Sequence, residues 1–221
     1  MKPVIAVTGT RREGAVLRGD GVRVICGGND PARLARELDG AAANAAGIVS
    51  FGMAGALDPA LAPGDWVIGD RLAGGGGECS CDPAWVEALA KCMPAARIGP
   101  AWCDGKLVST PAEKQALHAL SGALTADMES HIAAGVAQRS GLPFAILRCV
   151  SDAADAALPP AIAVAMRPDG GLALGAVLGS VLAQPWQVPG LASTVARFAR
   201  AYRSLKAGTR EVGPRLAFDL R

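Results

Sequence analysis

Short apolar runs alternate with longer helical patterns along most of this sequence, and that alternation limits the possible folds more than any other feature. Residues 4–7, 22–26, 48–51, 66–68 and 144–150 read as strands of the kind buried on both sheet faces. Residues 31–45, 83–93, 111–120, 129–140, 171–183 and 191–205 read as helices. Pro31, Pro83 and Pro111 stand near first turns, and Gly141 stands where a C-terminal cap belongs. The order predicts a three-layer α/β/α fold with a mixed, mostly parallel central sheet. At 221 residues the chain is expected to form one domain, with 185–221 as a C-terminal helical extension.

The composition agrees with a packed core: 51% of residues are hydrophobic, 19% are charged and 28 are glycine. The net charge of +2 has no dominant sign, so nothing in it points to a nucleic-acid partner. Six cysteines are scattered through apolar segments, as expected for reduced thiols in a cytoplasmic protein. Cys79 and Cys81 form the one close pair, but they have neither the spacing nor the companions of a metal site, so no metal is expected. The apolar opening is too short for a signal peptide, and 171–183 is too short to span a bilayer. In the last helix Leu191, Val195, Phe198, Tyr202 and Leu205 make an apolar stripe beside Arg197, Arg200, Arg203 and Lys206. A solvated basic face explains that pattern, and so does contact with anionic lipid.

Four segments carry chemistry. Thr8-Gly9-Thr10-Arg11-Arg12-Glu13 follows the first strand, where ligands gather in α/β sheets, although Glu13 is also readable as a surface carboxylate. Gly52-Met53-Ala54-Gly55, with Asp58-Pro59 and Gly64-Asp65 after it, lets a ligand approach the backbone closely, as any glycine-rich turn would. Asp127-Met128-Glu129 opens a helix, where a carboxylate serves as a cap or accepts both hydroxyls of a cis-diol. Arg148, Ser151, Asp152 and Asp155 lie at the end of the last apolar run, where a catalytic acid is expected.

In this order the four segments resemble the nucleoside phosphorylase/nucleosidase family, over residues 3 to about 155. The resemblance implies a nucleoside phosphorylase-like fold that cleaves the bond between a purine and a ribose-like sugar. It implies Asp152 as the acid that protonates the departing purine at N7, protonated when substrate binds, with Ser151 orienting its carboxyl. Glu129 would hold the 2′- and 3′-hydroxyls, with Met128 under the sugar and Asp127 beside it, and Glu13 would position or deprotonate an attacking water. Gly52 and Met53 would line the substrate site. The family implies no cofactor and a homo-oligomer, with inorganic phosphate as the co-substrate in phosphorolytic members.

Two departures bear on the co-substrate. Met53 stands where hydrolytic members of the family have Ser, and Ser50 where phosphorolytic members have a phosphate-gripping Arg. Gly27, Gly28 and Asn29, with Arg33 or Arg11, are an alternative phosphate cradle at the start of the helix at Pro31. The connection Arg18-Gly19-Asp20-Gly21 is short, and with residues 24–34 and the apolar tail it resembles the hopanoid-associated phosphorylase subfamily. That resemblance implies adenosylhopane as substrate, a nucleoside whose 5′ carbon bears a large terpenoid lipid, and contact with a membrane surface. The alternative readings are a general nucleosidase for methylthioadenosine or S-adenosylhomocysteine, a purine nucleoside phosphorylase, and a non-catalytic binding module.

Overall fold

β1 (Val4–Thr8) is buried along its whole length and lies between two parallel partners, β2 (Val22–Cys26) and β3 (Gly47–Ala56). The computed structural model describes residues 1–17, 19–74, 77–163, 167–171 and 173–221. Arg18, residues 164–166, and residue 172 of the helix expected over 171–183 lie outside the described residues.

β8 (Phe144–Asp152) runs parallel to β3 and antiparallel to β4 (Trp66–Ala73). Two-residue β5 (Cys79–Ser80) edges β4, and β6 (Arg97–Trp102) pairs with its other side. Short β7 (Thr125–Ala126) then bridges β6 to the far end of β3. Strands β3, β8, β4, β6 and β7 therefore close into a ring at one side of the sheet. Five strand pairs are parallel and three antiparallel among the described residues, so the sheet is mixed, as expected.

Helices cover both faces. α2 (Pro31–Ala42) and α5 (Ser130–Arg139) pack over Ile5, Val7, Ile48 and Ile146, and α3 (Pro83–Cys92) and α8 (Val188–Glu211) over Val4, Ala6, Phe51 and Leu147. Alternation of side chains along a strand sends odd and even positions of β1 to these two cores. α4 (Pro111–Ser121) starts with a capping box in which Thr110 and Glu113 satisfy each other's backbone N–H groups. Four-residue α1 (Arg11–Gly14) and α6 (Pro160–Ala163), and α7 (Leu174–Ala183), complete the helices.

Several boundaries differ from the sequence reading. β3 continues through Gly52 to Ala56, so the expected glycine-rich turn is itself strand. β8 continues through Ser151 and Asp152. β5, β7, α1 and α6 were not expected, because two-residue strands and single helical turns carry no periodicity, and neither was six-residue β6, which includes Gly99 and Pro100. The apolar stripe of α8 divides: Leu205 is fully buried, whereas Val195 is 58% exposed.

The segment 185–221 packs into the core over α3. Trp85 is fully buried, donates from Nε1 to the Leu216 carbonyl at 2.7 Å, and meets the Phe218 ring edge-on at 4.9 Å. Trp85→Ala is expected to lower the free energy of unfolding in urea by about 3–5 kcal/mol; a loss below about 1 kcal/mol would show that the C-terminal turn docks without it.

Candidate active site

Glu13 is placed by the turn in which it sits. Thr10 caps α1, and its backbone N–H and hydroxyl both donate to Glu13 Oε2, at 2.6 and 2.8 Å. The other oxygen, Oε1, accepts from the Met53 backbone N–H at 2.7 Å. Glu13 is 4% exposed and so is not a surface carboxylate. Its seat needs glycine at position 52, which has φ of 146°, and where a Cβ would come within 2.7 Å of Glu13 Oε1.

Asp127 is the cap of α5, accepting from the backbone N–H groups of Glu129 and Ser130 at 2.9 and 2.8 Å. Glu129 makes no cap bond, and its buried carboxylate faces the pocket. Its Oε1 would be 3.1 Å from a Cβ on Gly9. Burial pushes its carboxyl up to about 8; Asp127 and Glu13 add to that push, and the Arg148 guanidinium opposes it.

Behind these acids stands Arg148, fully buried in β8. Its Nη2 lies 2.9 Å from Asp127 Oδ1, and donates to the hydroxyls of Ser50 and Ser130. Glu129 Oε2 is 4.0 Å away. Arg148 Nε and Nη1 have no hydrogen-bond partner among the described residues, and Nη1 lies 3.2 Å from the position of a Cβ on Gly52, beside Glu13. A buried guanidinium therefore keeps unused donors next to two carboxylates.

Asp152 lies across the pocket, at the C-terminal end of β8 and against Gly55. Ser151 Oγ donates to its Oδ1 and Lys114 Nζ to its Oδ2, both at 2.5 Å. The single Ser151 hydroxyl proton is shared between Oδ1 and the Ala54 carbonyl, 3.1 Å from Oγ, so Lys114 is the donor committed to this carboxyl group. Lys114, from the first turn of α4, is fully buried. The remaining wall is formed by Met53, Met128, Val108, Leu158, Ile162 and Phe198. Glu13 engages Met53 and Asp152 faces Gly55, so two residues of β3, about 7 Å of strand, separate the two ends of the site.

The phosphate cradle expected at Gly27, Gly28, Asn29, Arg33 and Arg11 is not formed. The amides of Gly27, Gly28 and Asn29 donate to the carbonyls of Thr8, Gly9 and Arg167. Arg33 donates to the carbonyls of Cys26, Gly27 and Pro168, and Arg11 to that of Asp169. The turn at 167–171 covers this loop, leaving exposed Asn29 on the pocket rim. Gly27 instead makes room for Glu129, whose Cγ would lie 2.8 Å from a Cβ there. Sequence reasoning gave no role to Lys114 or Arg148. An arginine within the apolar run 144–150 was a usable signal; Lys114, on an ordinary amphipathic helix, gave none.

The phosphorylase superfamily model matches residues 2–167. The chain belongs to the phosphorylase superfamily. A search of curated proteins finds none that matches. Among solved structures, the chain resembles the Neisseria meningitidis 5′-methylthioadenosine/S-adenosylhomocysteine nucleosidase in complex with methylthio-immucillin-A, with a TM-score of 0.65, 15% identity and 100% of each chain covered. It also resembles the Helicobacter pylori futalosine hydrolase, with a TM-score of 0.65, 14% identity, and 96% of this chain and 97% of the other covered. With this superfamily membership, the chain is an enzyme acting on nucleosides.

The Glu129 carboxyl generates a pH dependence of stability. Its folded value of about 8 lies above the unfolded value of 4.5, so between these limits the folded protein holds a proton that the unfolded chain releases. Stability therefore falls as pH rises through that window, by up to about 1.4 kcal/mol per unit. Urea unfolding at pH 5 and pH 8 should show Glu129→Gln losing less stability than the wild type, by on the order of a few kcal/mol. Equal losses would mean that Glu129 is ionised throughout.

Proposed function

We propose that this protein hydrolyses the N-glycosidic bond of an adenine nucleoside bearing a large apolar 5′ group. The observation that carries the reading is the two-ended pocket, with Asp152 at one end and Glu13 and Glu129, backed by the buried Arg148 guanidinium, at the other. Breaking such a bond builds positive charge on the sugar and negative charge on the base. The first is stabilised by carboxylates and the second by a proton donor. In this reading Glu129 accepts the ribose hydroxyls over Met128, and Asp152, oriented by Ser151, addresses the base. Glu13 holds the attacking oxygen, with Arg148 behind it.

Charge balance favours water as that oxygen's source. Arg148 already lies against Asp127 and near Glu129, with Glu13 beside it, so a phosphate dianion would meet carboxylates with no excess of cations. Inorganic phosphate is the alternative co-substrate. No cofactor enters this reaction. The wild type is expected to release adenine from adenosine analogues at the same rate with and without phosphate, giving the free sugar by mass spectrometry. Asp152→Asn should lower kcat by about 10²–10⁴-fold; near-normal turnover would remove Asp152 from the mechanism, and a phosphorylated sugar would replace hydrolysis by phosphorolysis.

The apolar 5′ group is supported by the wall of Leu158, Ile162 and Phe198 and by Met53 in place of a polar residue. The sequence resemblance points to adenosylhopane. Leu178, Leu182, Trp186, Val188 and Val195 are exposed on α7, α8 and the turn between them. No acidic residue occurs between Asp169 and Glu211, while Arg197, Arg200, Arg203, Lys206 and Arg210 do. This composition suits the surface of an anionic membrane, from which a lipid-linked nucleoside would be drawn. No helix among the described residues is long and apolar enough to cross a membrane. The second reading, a methylthioadenosine/S-adenosylhomocysteine nucleosidase, is favoured by the names of the structural neighbours. Activity should rise as the 5′-alkylthio chain of an adenosine analogue lengthens from methyl to octyl. A preference for methylthioadenosine would establish the second reading instead.

A further inference from the structure

We propose that the acid that protonates the departing base is the Lys114–Asp152 pair, in which Lys114 holds the proton and Asp152 passes it on. The inference rests on the N-glycosidic reading above and deepens it. Lys114 Nζ donates to Asp152 Oδ2 at 2.5 Å and to the carbonyls of Ala153 and Ala156 at 2.8 and 2.9 Å. Three acceptors match the three N–H bonds of an ammonium, whereas a neutral amine would turn a lone pair toward one of them. Ser151 Oγ occupies the other carboxylate oxygen. In this reading the resting site holds a Lys114–Asp152 ion pair.

Stability alone gives little reason for this lysine. It is fully buried, and it sits in the first turn of α4, where the helix dipole disfavours a cation. Replacing a buried ion pair by apolar side chains of similar volume is commonly neutral or stabilising. The arrangement does suit a proton transfer that waits for bond cleavage. An intact purine nucleoside is a weak base at N7, and the purine becomes strongly basic as the glycosidic electron pair moves onto it. A proton held on an amine is released only at that late stage, when acceptor and donor are matched in basicity.

The step balances. As the sugar–base bond breaks, its electrons pass to the base. One proton moves from Nζ to Asp152, and one from Asp152 to N7, leaving Lys114 as a neutral amine. Water adds to the anomeric carbon as hydroxyl and gives its other proton to Glu13, which returns it to solvent. Lys114 is recharged through Asp152, which lines the pocket, when the products leave.

The test compares an adenine nucleoside with 4-nitrophenyl riboside, whose phenolate departs without a proton. Lys114→Arg keeps the cation but gives up no proton. It is expected to lower kcat on the adenine nucleoside by about 10²-fold, with KM within about threefold. Turnover of the nitrophenyl riboside should stay within about threefold of the wild type. Equal losses on both substrates, or none on either, would overturn the assignment. Lys114→Met strands Asp152 without its partner, so Lys114→Met/Asp152→Asn is the folded control. It should be as slow on the adenine nucleoside as Asp152→Asn alone, because the two residues act as one unit; additive losses would show that they act separately. A wild type inactive on both substrates would refute the N-glycosidic reading itself, and the proposal with it.

Discussion

The burial of Arg148 is the constraint from which most of the site follows. A guanidinium with no exposed surface must be met by acceptors and by opposite charge, since an isolated buried cation is prohibitively costly. Asp127 provides the charge, and Ser50 and Ser130 accept in addition. These contacts tie β8 to β3 and to the start of α5, and they fix where α5 begins. With Asp127 engaged by the helix and by the arginine, Glu129 is left as the carboxylate with room to face a ligand. Ser50 is small enough to leave the guanidinium its place, and that is the structural meaning of a serine in the middle of a buried strand.

The pocket thus lies between two groups of charges, neither with an excess of cations. At one end a guanidinium is set among Asp127, Glu129 and Glu13; at the other an ammonium faces Asp152. Neither end offers surplus positive charge to a free anion. Both offer what a reaction with separating charges needs, which is dipoles and ions already oriented before the charge develops. The strand between them, β3, holds the two ends at a fixed separation by its own backbone rise.

Much of this was legible in the sequence, in proportion to how local the signals are. Apolar runs marked β1, β2 and β8, and prolines marked the starts of α2, α3 and α4. Asp127, Glu129, Ser151 and Asp152 stood in recognisable order, and the structure gathers them with Glu13 around one pocket. β6 was missed because its sequence, Arg97–Trp102, includes Gly and Pro and exposes its first residues. Lys114 was missed because its partner lies 38 positions away, and nothing on α4 itself distinguishes a buried lysine from a solvated one. The glycines at 27 and 28 read as a phosphate loop because their chemistry allows it. Only the tertiary placement of the loop after β1 shows that their amides are already bonded, to the carbonyls of Thr8 and Gly9.

The docking of the C-terminal turn against Trp85 also bears on how the chain reaches this state. Leu216 and Phe218 share a core with Val4 and Ala6, and Arg215 donates to the Lys2 carbonyl at 2.9 Å. One face of the sheet is therefore completed by contacts that span nearly the whole sequence. Closing so long a loop costs entropy before any packing is gained, so contacts of this span slow folding relative to local ones. Until they form, the strand that carries Thr8 and leads into Glu13 remains open on one side. The site and the far end of the molecule would then mature in a single cooperative step.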